Sequence, residues 1–145
     1  MKVVLQRVLS ASVSVDGVTT GEIGRGYLLL VGLAAGDDEA TVRRLASDVS
    51  KSRLMSDAQG KMGVNLHDSG GQALAVSQFT LLADFSKGNR PSFNGAAKPE
   101  AAKPLFDLFV AEMIRLQGKP VPTGVFGADM RVELVNDGPV TVVLE

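Results

Sequence analysis

The run of residues 27–33, Tyr-Leu-Leu-Leu-Val-Gly-Leu, contains no charged side chain. A strand with one face in water alternates polar and apolar residues, whereas an unbroken apolar run is typical of a strand that is covered on both faces. A second largely apolar run spans residues 73–82. Because strands of this kind need material on both sides of their sheet, we expect a layered fold around a buried sheet.

Further strands flank these two runs. Residues 3–15 and 18–23 are rich in β-branched side chains and surround Asp16-Gly17, a strong hairpin signal. A short hairpin is predicted between residues 56 and 72. The last strands are predicted at residues 121–126, 130–135 and 140–144.

Two segments have helical spacing. Asp37 and Asp38 are suited to cap the first helix, which is expected to fade near residues 53–55. The second helix is predicted at residues 99–117, ending at Gly118. About seven strands and two main helices then form one α/β domain over residues 1–145, with the helices on one side of the sheets.

Composition excludes several kinds of chemistry. The chain has no cysteine, which rules out disulfides, thiolate catalysis and cysteine-based zinc sites. His67 is the single histidine, so a multi-histidine metal site is also excluded, and we predict neither a metal nor a cofactor. A net charge of −1 argues against a broad nucleic-acid surface but permits a local basic patch.

No apolar run approaches the roughly 20 residues that a membrane-spanning helix needs. The first residues also lack the apolar core and cleavage site of a signal peptide. We therefore expect a cytoplasmic protein without a membrane partner.

Two local patterns resemble catalytic motifs but have simpler explanations. His67 lies beside Asp68 and Ser69, but serine–histidine–aspartate triads are assembled from residues that are distant in sequence. We therefore interpret His67 as a solvated loop residue. The glycine-rich segment 21–26 lacks the residue order and the following helix of a phosphate-binding loop, and it is interpreted as a tight turn.

Polar side chains interrupt the second apolar run near its end. A buried polar group must find a hydrogen-bond partner, and strand alternation places Ser77 and Phe79 on one face and Gln78 and Thr80 on the other. Gln78 or Thr80 could line a pocket, or they could bond to neighbouring backbone; the pattern favours neither.

Residues 87–93 combine two cations, Lys87 and Arg90, with an aromatic ring, Phe93. Such a segment suits a phosphate and a stacked base, although a solvated loop has the same composition.

Gly138-Pro139 lies between two strand-like runs. Proline has no N–H to contribute to a sheet and is confined there to edges, strand starts and bulges. The pair could therefore present bare carbonyl groups to a ligand or to a second subunit. An ordinary turn between two strands is the alternative.

Four of these segments occur together and in order: residues 77–81, 87–93, 123–130 and 136–141. With them, the whole chain resembles the D-aminoacyl-tRNA deacylase family. The resemblance implies a three-layer α/β/β fold and a homodimer with the active site at the subunit interface. It also implies a tRNA substrate that carries a D-amino acid, or mischarged glycine, on its terminal adenosine.

The resemblance also assigns roles to residues. Gly138 and Pro139, cis in the family, reach from one subunit into the pocket of the other and select the chirality of the amino acid. Three groups of residues are implied: a catalytic group of Ser77, Gln78, Phe79 and Thr80; a substrate-binding and chiral-selection group of Asn136, Gly138, Pro139, Thr141 and Met130; and a tRNA-binding group of Lys87, Arg90 and Phe93. Asn89 and Val125 stand where family members usually have arginine.

The implied reaction is ester hydrolysis. Thr80 would need an adjacent base to act as a nucleophile, and the sequence offers none. We therefore favour hydrolysis assisted by the 2′-hydroxyl of the RNA, with backbone N–H groups near Phe79 stabilising the oxyanion and Thr80 as a positioning group. The competing interpretations are an RNA-end binding module without catalysis and a hydrolase of small D-amino acid esters or peptides.

Overall fold

The computed structural model describes all 145 residues, and it opens with a long hairpin. Strand β1 spans Lys2–Val15 and strand β2 spans Val18–Ile23. Asp16 and Gly17 between them have φ angles of 50° and 78°, the left-handed conformation that a two-residue hairpin turn requires. The predicted hairpin is confirmed.

Strand β1 organises the main sheet. Strand β7 (Arg131–Leu144) runs antiparallel along one edge of β1. The other edge pairs first with β3 (Gly26–Gly32) and then with β2. Strand β6 (Gln72–Ser77) is parallel to β3. Because β7 pairs with β1 alone, its outer edge is open.

The buried strands separate two apolar clusters. Tyr27, Leu29 and Val31 of β3 belong to a cluster that includes the helices. Leu28 belongs to a second cluster, formed with the far half of β1, with β2 and with Leu74 of β6. The sheet therefore carries helices on one face and folded-back strands on the other. This arrangement confirms the predicted α/β class and the strands covered on both faces.

Two long helices occupy the helical layer. Helix α1 spans Glu39–Lys51, and Asp38 caps it by accepting a 2.9 Å hydrogen bond from Thr41 N–H. Asp37 does not cap the helix: its carboxylate accepts from Ala34 N–H at 2.6 Å and lies 2.8 Å from the N-terminal ammonium. A later helix, α3 below, spans Pro99–Gln117 as predicted, and Gly118 ends it with a φ of 67°.

The segment between α1 and β6 contains the predicted short hairpin. Its strands are β4 (Met55–Ser56) and β5 (Met62–Val64). A single helical turn, α2 (Leu66–Ser69), follows and was not predicted from the sequence. His67 lies on this turn with an exposed side chain. None of the helices combines the length and the apolar composition that a membrane-spanning helix requires.

Two strand predictions were wrong. Strand β6 ends at Ser77, and Phe79–Leu82 forms a 3₁₀ turn. The neighbouring strand β3 ends at Gly32, so backbone beyond Ser77 has no strand to pair with. Residues 121–126 form only a local bridge, in which Pro122 accepts a hydrogen bond from Ala75 N–H at 3.0 Å. Proline and glycine in this segment limit further pairing.

The two strands predicted at residues 130–135 and 140–144 form a single strand, β7, which contains a bulge. Thr141 lies opposite Gln6 and Asn136 lies opposite Val8, so residues 137–140 face a single residue of β1. The Gly138–Pro139 peptide bond within the bulge is cis.

Candidate active site

An open, mostly apolar cavity of about 440 Å³ lies where β3 and β6 end. Val31 and Leu33 contribute side chains from the sheet, and Ala102 contributes one from helix α3. Phe79 and Phe93 line the same cavity, with their ring centroids 5.0 Å apart and their planes at 67°. This edge-to-face arrangement is favourable for aromatic pairs. The cavity has a size typical of a small-molecule site.

The polar segment at the end of β6 forms one wall. Ser77, Gln78 and Phe79 all line the cavity, so the predicted division between two strand faces was wrong. The chain leaves the strand at Gln78, where φ is −145° and ψ is 75°. Its N–H still donates to Val31 at 2.7 Å, which holds the turn against the sheet.

Two backbone donors begin this 3₁₀ turn. Leu81 N–H donates to the Gln78 carbonyl group at 3.2 Å. The N–H groups of Phe79 and Thr80 precede that bond and have no acceptor within the turn. Backbone donors of this kind, at the end of a segment that lines an apolar cavity, are suited to an oxygen atom that acquires negative charge.

Thr80 is exposed and does not line the cavity. Its hydroxyl oxygen accepts a hydrogen bond from the Gln78 side-chain amide. An amide N–H donates and cannot take a proton from the hydroxyl group. The contact therefore orients Thr80 but does not activate it as a nucleophile.

Met130 lines a second cavity that shares the wall formed by residues 77–79. A smaller cavity of about 220 Å³ is lined by Ser77, Gln78 and Phe79 together with Met130 and Val132. Phe79, which is 57% exposed, therefore lies between the two cavities.

The predicted basic loop projects beside the larger cavity. Asp84 and Ser92 close its base through two backbone hydrogen bonds of 2.8 Å. Lys87 and Arg90 are exposed on the loop and neither lines the cavity. Phe93, the last residue of the predicted segment 87–93, is the one member of this group that does.

Asn136 and Thr141 flank the bulge of β7 on its two sides. The Asn136 side-chain amide donates to the backbone oxygens of Arg7 at 2.9 Å and Val140 at 3.0 Å. Thr141 accepts from the Gln6 side chain at 3.2 Å. These contacts close the bulge and leave Gly138 and Pro139 exposed.

Arg7 is the residue that sequence reasoning missed. It is only 8% exposed, and Nε donates to the Asp137 backbone oxygen at 3.1 Å while Nη1 donates to the Leu54 backbone oxygen at 2.8 Å. Val3, Leu5 and Arg7 share an inward-facing alternation. A cation at an inward position of an otherwise apolar strand was the signal that could have identified it.

The buried phenol of Tyr27 binds the same backbone segment, residues 52–54, that Arg7 contacts. Tyr27 lies opposite Arg7 on the neighbouring strand β3, donates to the Ser52 backbone oxygen at 3.4 Å and accepts from Leu54 N–H at 3.3 Å. Burial raises the pKa of Tyr27 above its ordinary value, so the phenol stays neutral and keeps its donor role.

A single chain does not bring the two halves of the predicted site together. The bulge lies opposite Arg7, which pairs with Tyr27, which in turn pairs with Ala73 of β6. Ser77 lies four residues further along β6 and three strands away from the bulge. Strand geometry makes this about 13 Å along and about 14 Å across the sheet, or roughly 20 Å in total.

Comparisons with known proteins agree on one family. The family model described as D-Tyr-tRNA(Tyr) deacylase matches residues 4–145. A protein of Chromobacterium violaceum named D-aminoacyl-tRNA deacylase is 57% identical over 145 residues, covering 100% of this chain and 97% of the relative. One of the same name from Thermomicrobium roseum is 58% identical, covering 100% and 94%.

A solved structure described as c-Myc DNA Unwinding Element Binding Protein has the same fold. It is 36% identical, with a TM-score of 0.93 over 100% of this chain and 98% of that chain. Fold, cavity and relatives together define an enzyme of the deacylase class, which hydrolyses ester bonds. The chain belongs to the D-Tyr-tRNA(Tyr) deacylase family, and the resemblance inferred from its motifs is confirmed.

Proposed function

We propose that this chain hydrolyses the ester bond between a D-amino acid, or glycine, and the terminal adenosine of tRNA. The observation that carries the proposal is the apolar cavity walled by Ser77, Gln78 and Phe79, followed by a 3₁₀ turn whose first two N–H groups have no acceptor within the turn. The proposed setting is the cytoplasm, where translation takes place.

The cavity suits the terminal adenosine. Two of its three aromatic side chains, Phe79 and Phe93, offer surfaces against which a base can pack. Lys87 and Arg90 on the neighbouring loop are not ion-paired and are proposed to contact the RNA backbone.

The proposed reaction needs no protein nucleophile. Water attacks the ester carbonyl carbon, and the N–H groups of Phe79 and Thr80 stabilise the oxyanion that forms, an effect worth about 2.7–4 kcal/mol per donor. The intermediate collapses to a free carboxylate; the departing ribose oxygen takes one proton of the attacking water, and the other proton passes to solvent. The neighbouring 2′-hydroxyl assists the water, while Thr80, held by Gln78, positions the substrate.

Chirality is proposed to be read by the partner subunit. Because about 20 Å separates the bulge from the cavity wall within one chain, Gly138-Pro139 is proposed to act in the cavity of a second copy. Their backbone would lie close to the substrate α-carbon, leaving room for hydrogen there but not for an L side chain. Glycine has no side chain and is therefore also hydrolysed.

The open edge of β7 supports a homodimer. The strand pairs with β1 alone, and Val135 and Val143 on it are 51% and 60% exposed. An unpaired strand edge with exposed apolar side chains is suited to association with another chain. The active site is proposed to lie at this interface.

A deacylation assay tests the proposal. D-tyrosyl-, L-tyrosyl- and glycyl-tRNA are compared with small D-tyrosine esters, and released amino acid is measured. We expect turnover of the D-tyrosyl and glycyl substrates and little of the L form. Binding without hydrolysis would instead indicate an RNA-end binding module, and equal turnover of small esters would indicate a D-amino acid esterase.

A further inference from the structure

The cavity at the ends of β3 and β6 has a single charged side chain among its thirteen lining residues, that of Lys98. Eight of the lining residues are hydrophobic, and the four that remain besides Lys98 carry no charge. An isolated cation at an apolar cavity indicates a ligand that is mostly apolar but has one negative group.

Lys98 has no carboxylate partner. Its side chain is exposed, and none of the ion pairs of the chain includes it. Lys103, five residues further along the chain and within α3, is different: its ammonium group lies 2.8 Å from the carboxylate of Asp107. The charge of Lys98 is therefore available to a ligand.

The backbone on both sides of Lys98 is anchored. The preceding residue, Ala97, donates its N–H to Leu33 at 2.9 Å, and the Lys98 carbonyl group accepts from Ala101 and Ala102 at 2.9 Å and 2.8 Å. The Cα position at the cavity rim is therefore fixed by the sheet and by α3. A lysine ammonium on its flexible stem can then follow a phosphate as a point charge.

We propose that Lys98 binds the 5′-phosphate of a nucleotide whose base packs in this cavity. The site would then recognise a nucleoside 5′-phosphate more strongly than the corresponding nucleoside. The inference rests on the proposed function for the identity of that nucleotide, the terminal adenylate of tRNA. The phosphate joining this nucleotide to the rest of the RNA would be the group that Lys98 contacts.

Titrations with AMP and adenosine test the inference without any hydrolysis. The parent chain, Lys98→Gln and Lys103→Gln are titrated with each ligand and followed by calorimetry or NMR. The two variants each lose one positive charge, from the residue that caps α3 and from its first turns, so a general effect of net charge would appear in both. Adenosine affinity in Lys98→Gln reports whether the cavity is intact.

We expect the parent chain to bind AMP about three- to tenfold more tightly than adenosine, as one partly exposed charge-assisted contact allows. Lys98→Gln should bind the two ligands equally, and Lys103→Gln should keep the preference for AMP. Equal affinities in the parent chain, no detectable AMP binding, or the same loss in both variants would each overturn the inference.

The outcome is distinguishable from that of the proposed function. A chain that prefers AMP through Lys98 but does not release D-tyrosine from tRNA would refute the function and support the nucleotide site. A chain that hydrolyses D-tyrosyl-tRNA while Lys98→Gln keeps its AMP preference would support the function and refute the role of Lys98.

Discussion

Arg7 ties the bulge of β7 to the interior of the sheet through Asp137. Its Nε donates to the Asp137 backbone oxygen at 3.1 Å and lies 3.4 Å from the carboxylate of the same residue. Asp137 directly precedes Gly138, so a buried side chain on β1 sets the position of the Gly138-Pro139 pair. A planar guanidinium with several fixed acceptors holds its geometry better than a flexible ammonium group would.

Replacing Arg7 with lysine should therefore loosen the bulge while keeping the charge. We expect unfolding free energy to fall by about 1.5–3 kcal/mol, because hydrogen bonds from a charged donor are lost. The ratio of D- to L-tyrosyl-tRNA hydrolysis should fall as well. Arg44→Lys, at an exposed pair with Asp48, is the matched control and should change neither quantity. An Arg7→Lys variant with the parent selectivity would contradict the anchoring role.

Pro139→Ala should admit L-aminoacyl substrates. Proline fixes its own φ angle, and alanine at an exposed bulge would give the backbone more freedom. We expect hydrolysis of L-tyrosyl-tRNA to rise while hydrolysis of the D form is retained. Pro120→Ala, the same substitution at another exposed proline, should leave selectivity unchanged. Unaltered chirality in a folded, dimeric Pro139→Ala variant would refute the proposed selection.

A mixed dimer tests whether selection acts between subunits. One chain carries Pro139→Ala, and the other carries Ala97→Trp, which fills the cavity that Ala97 lines. The only open cavity then belongs to the Pro139→Ala chain. If Gly138-Pro139 acts across the interface, this cavity receives the intact Pro139 of the Ala97→Trp chain. The purified heterodimer should then hydrolyse D-tyrosyl-tRNA at about half the parent rate and reject the L form. Hydrolysis of the L form would show that the pair acts within its own chain.

Thr80→Val should cause only a modest loss of activity. The substitution removes the hydroxyl group held by Gln78 and keeps the side-chain shape. Losing one positioning hydrogen bond is worth about 1 kcal/mol, so kcat should fall by tenfold or less. Thr80→Ser should restore the parent rate. A fall of kcat to the uncatalysed rate would instead identify Thr80 as the nucleophile.

Glu112 should make stability depend on acidic pH. Its carboxylate lies 2.7 Å from both Arg115 and Arg43. The hydrogen bond from Arg115 is the main cause that lowers the pKa of Glu112, and the charge of Arg43 adds to it. A lowered pKa in the folded state stabilises the protein above the pKa of the unfolded chain and loses that effect as pH falls through the folded value.

Urea unfolding of the parent chain and of Glu112→Gln at neutral and acidic pH measures this effect. We expect Glu112→Gln to be less stable near pH 7 and the difference to shrink as pH falls below the ordinary glutamate pKa, about 4.3. Asp107→Asn, which breaks an exposed pair on the same helix, should change stability little at either pH. A pH-independent difference for Glu112→Gln would contradict the lowered pKa.

Local patterns predicted much of the fold. The Asp16-Gly17 hairpin, the strand buried on both faces and the helix ending at Gly118 follow from turn chemistry, periodicity and capping. Each depends on neighbours within a few residues, so the sequence alone carries the information. The end of β6 at Ser77 depends instead on where the adjacent strand stops, and no local signal reports that.

Local sequence likewise predicted one part of the candidate site, and tertiary structure decided the other part. Four ordered motifs were enough to predict the family, because each consists of residues close in sequence. Tertiary structure decided that residues 77–79 share a cavity with Phe93 and Ala102, that Arg7 holds the bulge, and that Lys98 lies at the cavity rim. These relationships join residues from separate strands and helices, and chain packing alone determines which of them meet.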